Sequence, residues 1–364
     1  MNRKHFISSL VTAGLAASAP AGMAATAGFV SAAGSTSPAS GSYGAEPAAP
    51  LDAYERRMII PPYLRAGDRI GISCPAGYIS REEIQPSVDL MQSWGFEVII
   101  GRTVGAKDFT YGGTDEERRG DFQQMLDDPN IAAIMCARGG YGAVRIIDLL
   151  DFSTFKKNPK WIIGFSDITV FHCHLSRQFR IASLHSKMCN SFPLDWTQAE
   201  PIQIETILSI RQALTGQSLR YFAPALRENR HGYAEGILLG GNLSLIETLA
   251  GSDSDLDTDG KILFVEDTGE YLYSLDRMFW NLKRTGKLEH LAGLLIGGFK
   301  LKPDEPGEEF GKTIVEIVME KISEYNYPVC FEFPVGHQRN NFALKCGTMH
   351  KLEVSATGTT LTTL

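Results

Sequence analysis

The chain has 364 residues, room for one large domain or two modest ones with real cores. Hydrophobic residues make up 43% and charged residues 21%, the balance of a soluble globular enzyme. The net charge is −7 and the basic residues are scattered, so no cationic stripe faces a phosphate backbone and nucleic acid drops out as a partner.

Residues 1–25 read as an export signal. Asn2-Arg3-Lys4-His5 is a short polar, basic start, and Phe6 to Met23 is apolar and rich in small residues. Gly22-Met23-Ala24-Ala25 then offers small-residue cleavage positions. Pro20 and the weak hydrophobicity argue against a stable membrane span, which points to a periplasmic or otherwise exported protein. Arg3-Lys4 leaves the export route open. Residues 26–57 are mostly Ala, Gly, Ser and Pro, too poor in apolar surface to offset the entropy of ordering, and read as a flexible linker. No Cys follows the apolar run closely enough to suggest a lipid anchor.

Regular structure is expected from Met58. Asp68 to Cys74 is a short apolar run, a strand ending in a Pro75-Ala76-Gly77 turn. Ser80 with Glu83 is a capping-box pattern for a helix that buries Val88, Met91 and Trp94 and stops at Gly95. A strand over residues 96–100 follows, then a helix opened by Thr114-Asp115-Glu116-Glu117 that ends before Pro129. Ile131 to Cys136 and Trp161 to Phe165 are continuous apolar runs, the mark of parallel strands buried on both faces. Strands alternating with helices over residues 58–192 imply a doubly wound α/β domain with a parallel sheet.

The rhythm changes after Pro193. Residues 193–230 mix turn residues and polarity and read as a connector. Residues 231–364 carry strand-like runs at 236–239, 261–265 and 291–296, an alternating tail from Lys351 to Leu361, and helices over 273–285 and 312–325. That composition fits a second, β-rich domain. The six cysteines show no CxxC or metal-like spacing, and those on apolar strands and helices favour buried free thiols.

The sharpest local feature is Gly164-Phe165-Ser166-Asp167, where a buried strand runs straight into a serine and a helix follows at once. Such an elbow presents the hydroxyl at the carboxyl edge of the sheet, where open α/β sheets bind ligands. The N–H of Asp167 would then face an oxyanion, although Ser and Asp also serve as plain helix caps. Arg138-Gly139-Gly140-Tyr141-Gly142 closes the third strand, and its glycines allow close backbone approach to a ligand. It lacks the spacing of a phosphate loop. A serine nucleophile needs a base: His337, in a turn after Pro334-Val335-Gly336, and His185 both qualify by position. Glu266, at the end of a strand, is placed to orient an imidazole. His172 and His174 sit two apart on a helix and make a poor metal pair, so neither a metal nor a cofactor is expected.

The ordered set of these motifs resembles the LD-carboxypeptidase family, which also includes the microcin C self-immunity peptidases. It consists of Thr114-Asp115-Glu116-Glu117-Arg118, Asp128-Pro129, Arg138-Gly139-Gly140-Tyr141-Gly142, Gly164-Phe165-Ser166-Asp167, Gly240-Gly241-Asn242-Leu243-Ser244, Glu266-Asp267-Thr268-Gly269-Glu270 followed by Asp276-Arg277, and Pro334-Val335-Gly336-His337. The resemblance runs from Pro61 to the C-terminus. It implies a flavodoxin-like N-terminal domain, a smaller β-rich C-terminal domain, and a triad of Ser166, Glu266 and His337. Gly139, Gly140 and Asp167 would form the oxyanion hole. It also implies a murein peptide substrate, cleaved between an L-centred diamino acid and a terminal D-alanine, and a tendency to form homodimers. The alternatives are a peptidyl-nucleotide substrate, as in the self-immunity branch, or a non-catalytic peptidoglycan-binding role. One departure stands out. Many relatives carry an HGPM-like segment where this chain has His185-Ser186-Lys187-Met188, so Lys187, like Arg138, is a candidate substrate-binding cation.

Overall fold

Two sheets organise the chain, and the carboxyl ends of their parallel strands carry the candidate chemistry. The computed structural model describes residues 57–364. The expected export signal (1–25) and, apart from Arg57, the linker (26–57) lie outside the described residues.

The first part runs β1 (Arg69–Ser73), α1 (Arg81–Ser93), β2 (Glu97–Ile100), α2 (Asp115–Asp127) and β3 (Ile131–Cys136). Short helices α3 (Ala143–Ile146) and α4 (Ser153–Lys157) lead to β4 (Trp161–Gly164), α5 (Thr169–His174) and β5 (Ser183–His185). The capping box expected at Ser80 forms and Thr114 makes a second: the Ser80 and Thr114 hydroxyls accept the N–H groups of Glu83 and Glu117, whose carboxylates return the bond. β1 to β5 are parallel in the order 2-1-3-4-5, the flavodoxin-like arrangement. Uniformly apolar β3 and β4 occupy its centre, where both faces are covered. Trp161 on β4, Phe122 on α2 and Phe171 on α5 are fully buried. Each such side chain contributes about 1.5–3 kcal/mol of burial.

The segment expected as a connector holds a 14-residue helix, α6 (Pro201–Leu214), and the edge strand β6 (Arg220–Ala223). Ile207, Ile210, Ala213 and Leu214 give α6 a buried stripe, and Pro201 begins it where a missing N–H costs nothing. The remainder comprises β7 (Gly232–Asn242), α7 (Leu243–Thr248), β8 (Lys261–Glu270), α8 (Leu272–Arg284), β9 (Gly293–Leu301) and α9 (Ile314–Lys321). It ends in β10 (Val329–Cys330), β11 (Leu344–Cys346), β12 (Met349–Ser355) and β13 (Gly358–Thr363). The second sheet has seven strands in the order β10-β9-β8-β7-β12-β13-β6, parallel from β7 to β10 and antiparallel beyond.

One strand breaks the division into halves. β11, late in the chain, pairs antiparallel with β5 and closes the edge of the first sheet. A direct tie lies nearer the candidate site, where the Asn242 N–H, at the end of β7, donates to the Thr169 hydroxyl at the start of α5 (3.0 Å). All six cysteines are buried free thiols. Among the described residues no helix is long and apolar enough to cross a membrane.

Candidate active site

Ser166 sits on a strained elbow. β4 ends at Gly164, Phe165 is extended, and Ser166 has φ +61°, the left-handed region that non-glycine residues avoid. Holding it there costs on the order of 1–2 kcal/mol, a strain repaid only by surrounding structure. A tight turn over Ser166–Ile168 then leads into α5. The first N–H groups of such a turn have no intrahelical partner, which leaves the Asp167 N–H as a free donor beside the serine. The Asp167 carboxylate itself is buried and turned away, accepting the Ala143 N–H at 2.8 Å. Burial pushes its pKa up to about 6, against the opposing pull of that N–H and of Arg118.

The glycine loop after β3 lies against this elbow. A methyl group on Gly139 would sit 3.1 Å from Ser166 Cβ and 3.3 Å from its Oγ, tighter than ordinary contact, so one of the two would have to give by a few tenths of an ångström. The Gly139 carbonyl accepts the N–H of Gly77, from the turn after β1, at 2.9 Å. In a trans peptide this turns the Gly140 N–H to the opposite side, away from Gly77. Arg118 on α2 holds the two turns together: its wholly buried guanidinium donates to the carbonyls of Pro75 (2.6 Å) and Gly142 (2.9 Å) and pairs with Asp115. Sequence reasoning had no means of giving Arg118 this task, since the carbonyls it serves lie 43 and 24 residues away.

Glu266 and His337 form a hydrogen-bonded pair. Glu266 Oε2 lies 2.6 Å from His337 Nδ1 and accepts the His337 backbone N–H at 3.1 Å. An ionised carboxylate accepts only, so Nδ1 carries the proton and Nε2 is left as the basic nitrogen. Glu266 is fully buried, while the imidazole keeps a fifth of its side chain exposed. Register explains how a strand residue reaches this position. Val265 pairs with Ile296 but Asp267 with Phe299, so β8 meets an irregularity at Glu266, opposite Gly297 and Gly298. Such bulges re-aim a side chain. Gly336, with φ +105°, then lets the histidine turn settle on the carboxylate, since a Cβ there would lie 2.5 Å from Glu266 Cβ. Buried Asn341 accepts the Gly336 N–H at 2.9 Å and fixes the turn.

The elbow and the pair meet through Phe165, whose ring centre is 4.9 Å from that of His337. The competing base, His185, is wholly buried against Phe165, Phe264 and His172, with neither ring nitrogen hydrogen-bonded. Burial drives its pKa well below the usual value, which disqualifies it as an exposed base. His172 and His174 bond different partners, Ser183 and Ser254, as their spacing predicts. Arg138 is exposed at the rim and donates to the Tyr78 carbonyl (3.2 Å). Lys187 donates to the Gln338 carbonyl at 2.7 Å. No group of three His, Cys, Asp or Glu among the described residues is arranged to hold a metal ion.

The sequence matches the model of the LD-carboxypeptidase N-terminal domain over residues 70–186 and that of the C-terminal domain over 235–352. The chain belongs to the LD-carboxypeptidase family. A probable murein peptide carboxypeptidase of Bacillus subtilis is 30% identical over 79% of this chain and 89% of its own length. The murein tetrapeptide carboxypeptidase of Pseudomonas aeruginosa is 28% identical over 78% of this chain and 93% of its own. The crystal structure of a muramoyltetrapeptide carboxypeptidase from Oxalobacter formigenes superposes with a TM-score of 0.70 at 27% identity, covering 81% of this chain and 98% of that one. These relatives make the chain a serine carboxypeptidase by family, built on the two-sheet architecture described above.

Proposed function

We propose that this LD-carboxypeptidase removes the terminal D-alanine from murein tetrapeptides, using Ser166 as nucleophile, His337 as base and Glu266 as the group that orients it. The observation that carries the reading is the buried Glu266–His337 pair, 2.6 Å from oxygen to nitrogen, joined through Phe165 to the strained Ser166 elbow. The names of the relatives supply the substrate class.

In this mechanism His337 Nε2 takes the Ser166 proton as Oγ attacks the carbonyl of the L-centred diamino acid. The tetrahedral oxyanion accepts the N–H groups of Asp167 and of the Gly139-Gly140 loop. His337 then returns its proton to the leaving amine, D-alanine departs, and water attacks the acyl-enzyme with His337 again as base. Glu266 stabilises the imidazolium formed in each half. The apolar, small-residue run from Phe6 to Met23 supports action on peptidoglycan stems outside the inner membrane.

Mass spectrometry of the protein incubated with a murein tetrapeptide tests the proposal: a product lighter by one alanine is expected. Folded protein that leaves the peptide intact would overturn it in favour of a peptidyl-nucleotide substrate or a binding role. Gly139→Ala separates the oxyanion loop from the rest of the site. The added methyl lands 3.1–3.3 Å from Ser166, in a residue without a left-handed backbone. We expect kcat to fall by about 10²- to 10³-fold, the usual effect of disturbing one oxyanion donor. Retained kcat would remove the loop from the reaction.

A further inference from the structure

We propose that Lys187 is the specificity residue that binds the free carboxylate of the departing terminal amino acid, an inference that rests on the carboxypeptidase reading above. The ammonium is anchored beside the base. It donates to the carbonyl of Gln338, the residue after His337, and lies 5.9 Å from the centre of the Phe165 ring that packs on His337. Burial lowers its pKa, opposed by the charge of Glu266, which is already committed to His337. Among the described residues no carboxylate lies within ion-pair distance of Lys187. A part-buried ammonium with one neutral acceptor is a cost to the fold, and two of its three donors remain for a ligand.

A space opens beside Lys187. Lys187 lines a cavity of about 560 Å³ with Asn190, Ser191, Phe192, Glu200 and Arg339, a space that none of Ser166, Glu266 and His337 lines and that borders the site through Lys187. Arg339, the other cation on its wall, is neutralised by Glu200 through two contacts of 2.6 Å. Lys187 therefore supplies the cavity's unneutralised positive charge.

Direction of reaction selects this cation over Arg138. In acyl transfer the histidine protonates the leaving amine, so the departing residue lies on the histidine side of the serine. Its carboxylate is one carbon from that amine. Lys187 is tied to the residue after His337, whereas Arg138 belongs to the glycine loop and bonds the Tyr78 carbonyl. A cation on the leaving side suits a carboxypeptidase, and Lys187 is placed there while Arg339 nearby is paired with Glu200.

The test compares binding of a murein tetrapeptide and of its C-terminal carboxamide to Ser166→Ala protein by calorimetry. A charge-assisted contact of this kind predicts that the free acid binds about 10- to 100-fold tighter than the amide. Adding Lys187→Gln, which keeps a donor for the Gln338 carbonyl and removes the charge, should bring the acid down to the level of the amide. Adding Arg138→Met should leave the ratio intact. In protein with Ser166, Lys187→Gln should raise KM for the acid about tenfold or more while kcat holds, as expected for uniform binding energy. Equal binding of acid and amide by Ser166→Ala protein, no binding of either, or a ratio that survives Lys187→Gln would overturn the proposal. A Lys187-dependent preference for the acid in a protein that cleaves neither peptide would sink the peptidase reading and leave the carboxylate site standing.

Discussion

Ser166→Ala is expected to reduce alanine release by about 10⁴- to 10⁶-fold, the loss seen when a triad serine is removed and only binding and oxyanion contacts remain. The substitution is a clean one because the backbone at this position is already unfavourable. Ser166 holds φ +61°, and alanine is no more strained there than serine, so the fold has no reason to respond. Glycine would respond. Ser166→Gly relieves about 1–2 kcal/mol of left-handed strain and gives back about 0.5–1 kcal/mol in unfolded-state entropy. The glycine variant is therefore expected to be equally inactive and more stable by on the order of 0.5–1 kcal/mol. Chemical denaturation of the three proteins beside the mass-spectrometric assay checks both halves. An active Ser166→Ala protein would end the assignment of the nucleophile. An inactive glycine variant less stable than alanine would mean that the elbow is held by something other than strain traded for function.

How much of this was legible in the sequence differs from residue to residue, for physical reasons. The elbow was legible because everything that makes it is local: a buried strand, a serine and a helix start within a few residues. The capping box at Ser80 was legible for the same reason, since donor and acceptor are three residues apart. The α6 helix was obscured by polar residues between its apolar ones, although Ile207, Ile210 and Leu214 fall on one face. The β11 strand was not legible, because three residues form too short a pattern and their partner β5 lies about 160 positions earlier. The same limit separates Glu266 from His337. The motifs flagged both residues, but what joins them is a shift of register between β8 and β9 and the absence of a Cβ on Gly336. Lys187 stood out as a departure from the family pattern. The acceptor that gives it a position is a backbone carbonyl 151 residues away, and no side-chain type announces a carbonyl.

Glu266→Gln is expected to lower kcat by about 10³- to 10⁴-fold and to leave KM within a few-fold, because the carboxylate acts on the imidazole rather than on the substrate. The geometry limits what the amide can do. Glu266 Oε2 accepts two N–H groups, from the His337 backbone and ring, so a glutamine must put its oxygen there and its NH₂ at the other site. That second site, occupied by Oε1, is buried, and no donor reaches it. A rotated amide would donate toward Nδ1, which forces the proton onto Nε2 and removes the base. An unrotated one keeps the tautomer, loses the charge that stabilises the imidazolium, and places an NH₂ group in a buried position. Either state disables His337 while Ser166, the glycine loop and Lys187 stay in place. Steady-state kinetics on the tetrapeptide separate this from a binding defect. A kcat within tenfold of the unaltered protein would remove Glu266 from the mechanism, whereas a lost kcat with a raised KM would assign it to substrate contact instead. Because the pair spans the second sheet and the turn before β11, such a result would also show whether that sheet supplies chemistry or only a wall.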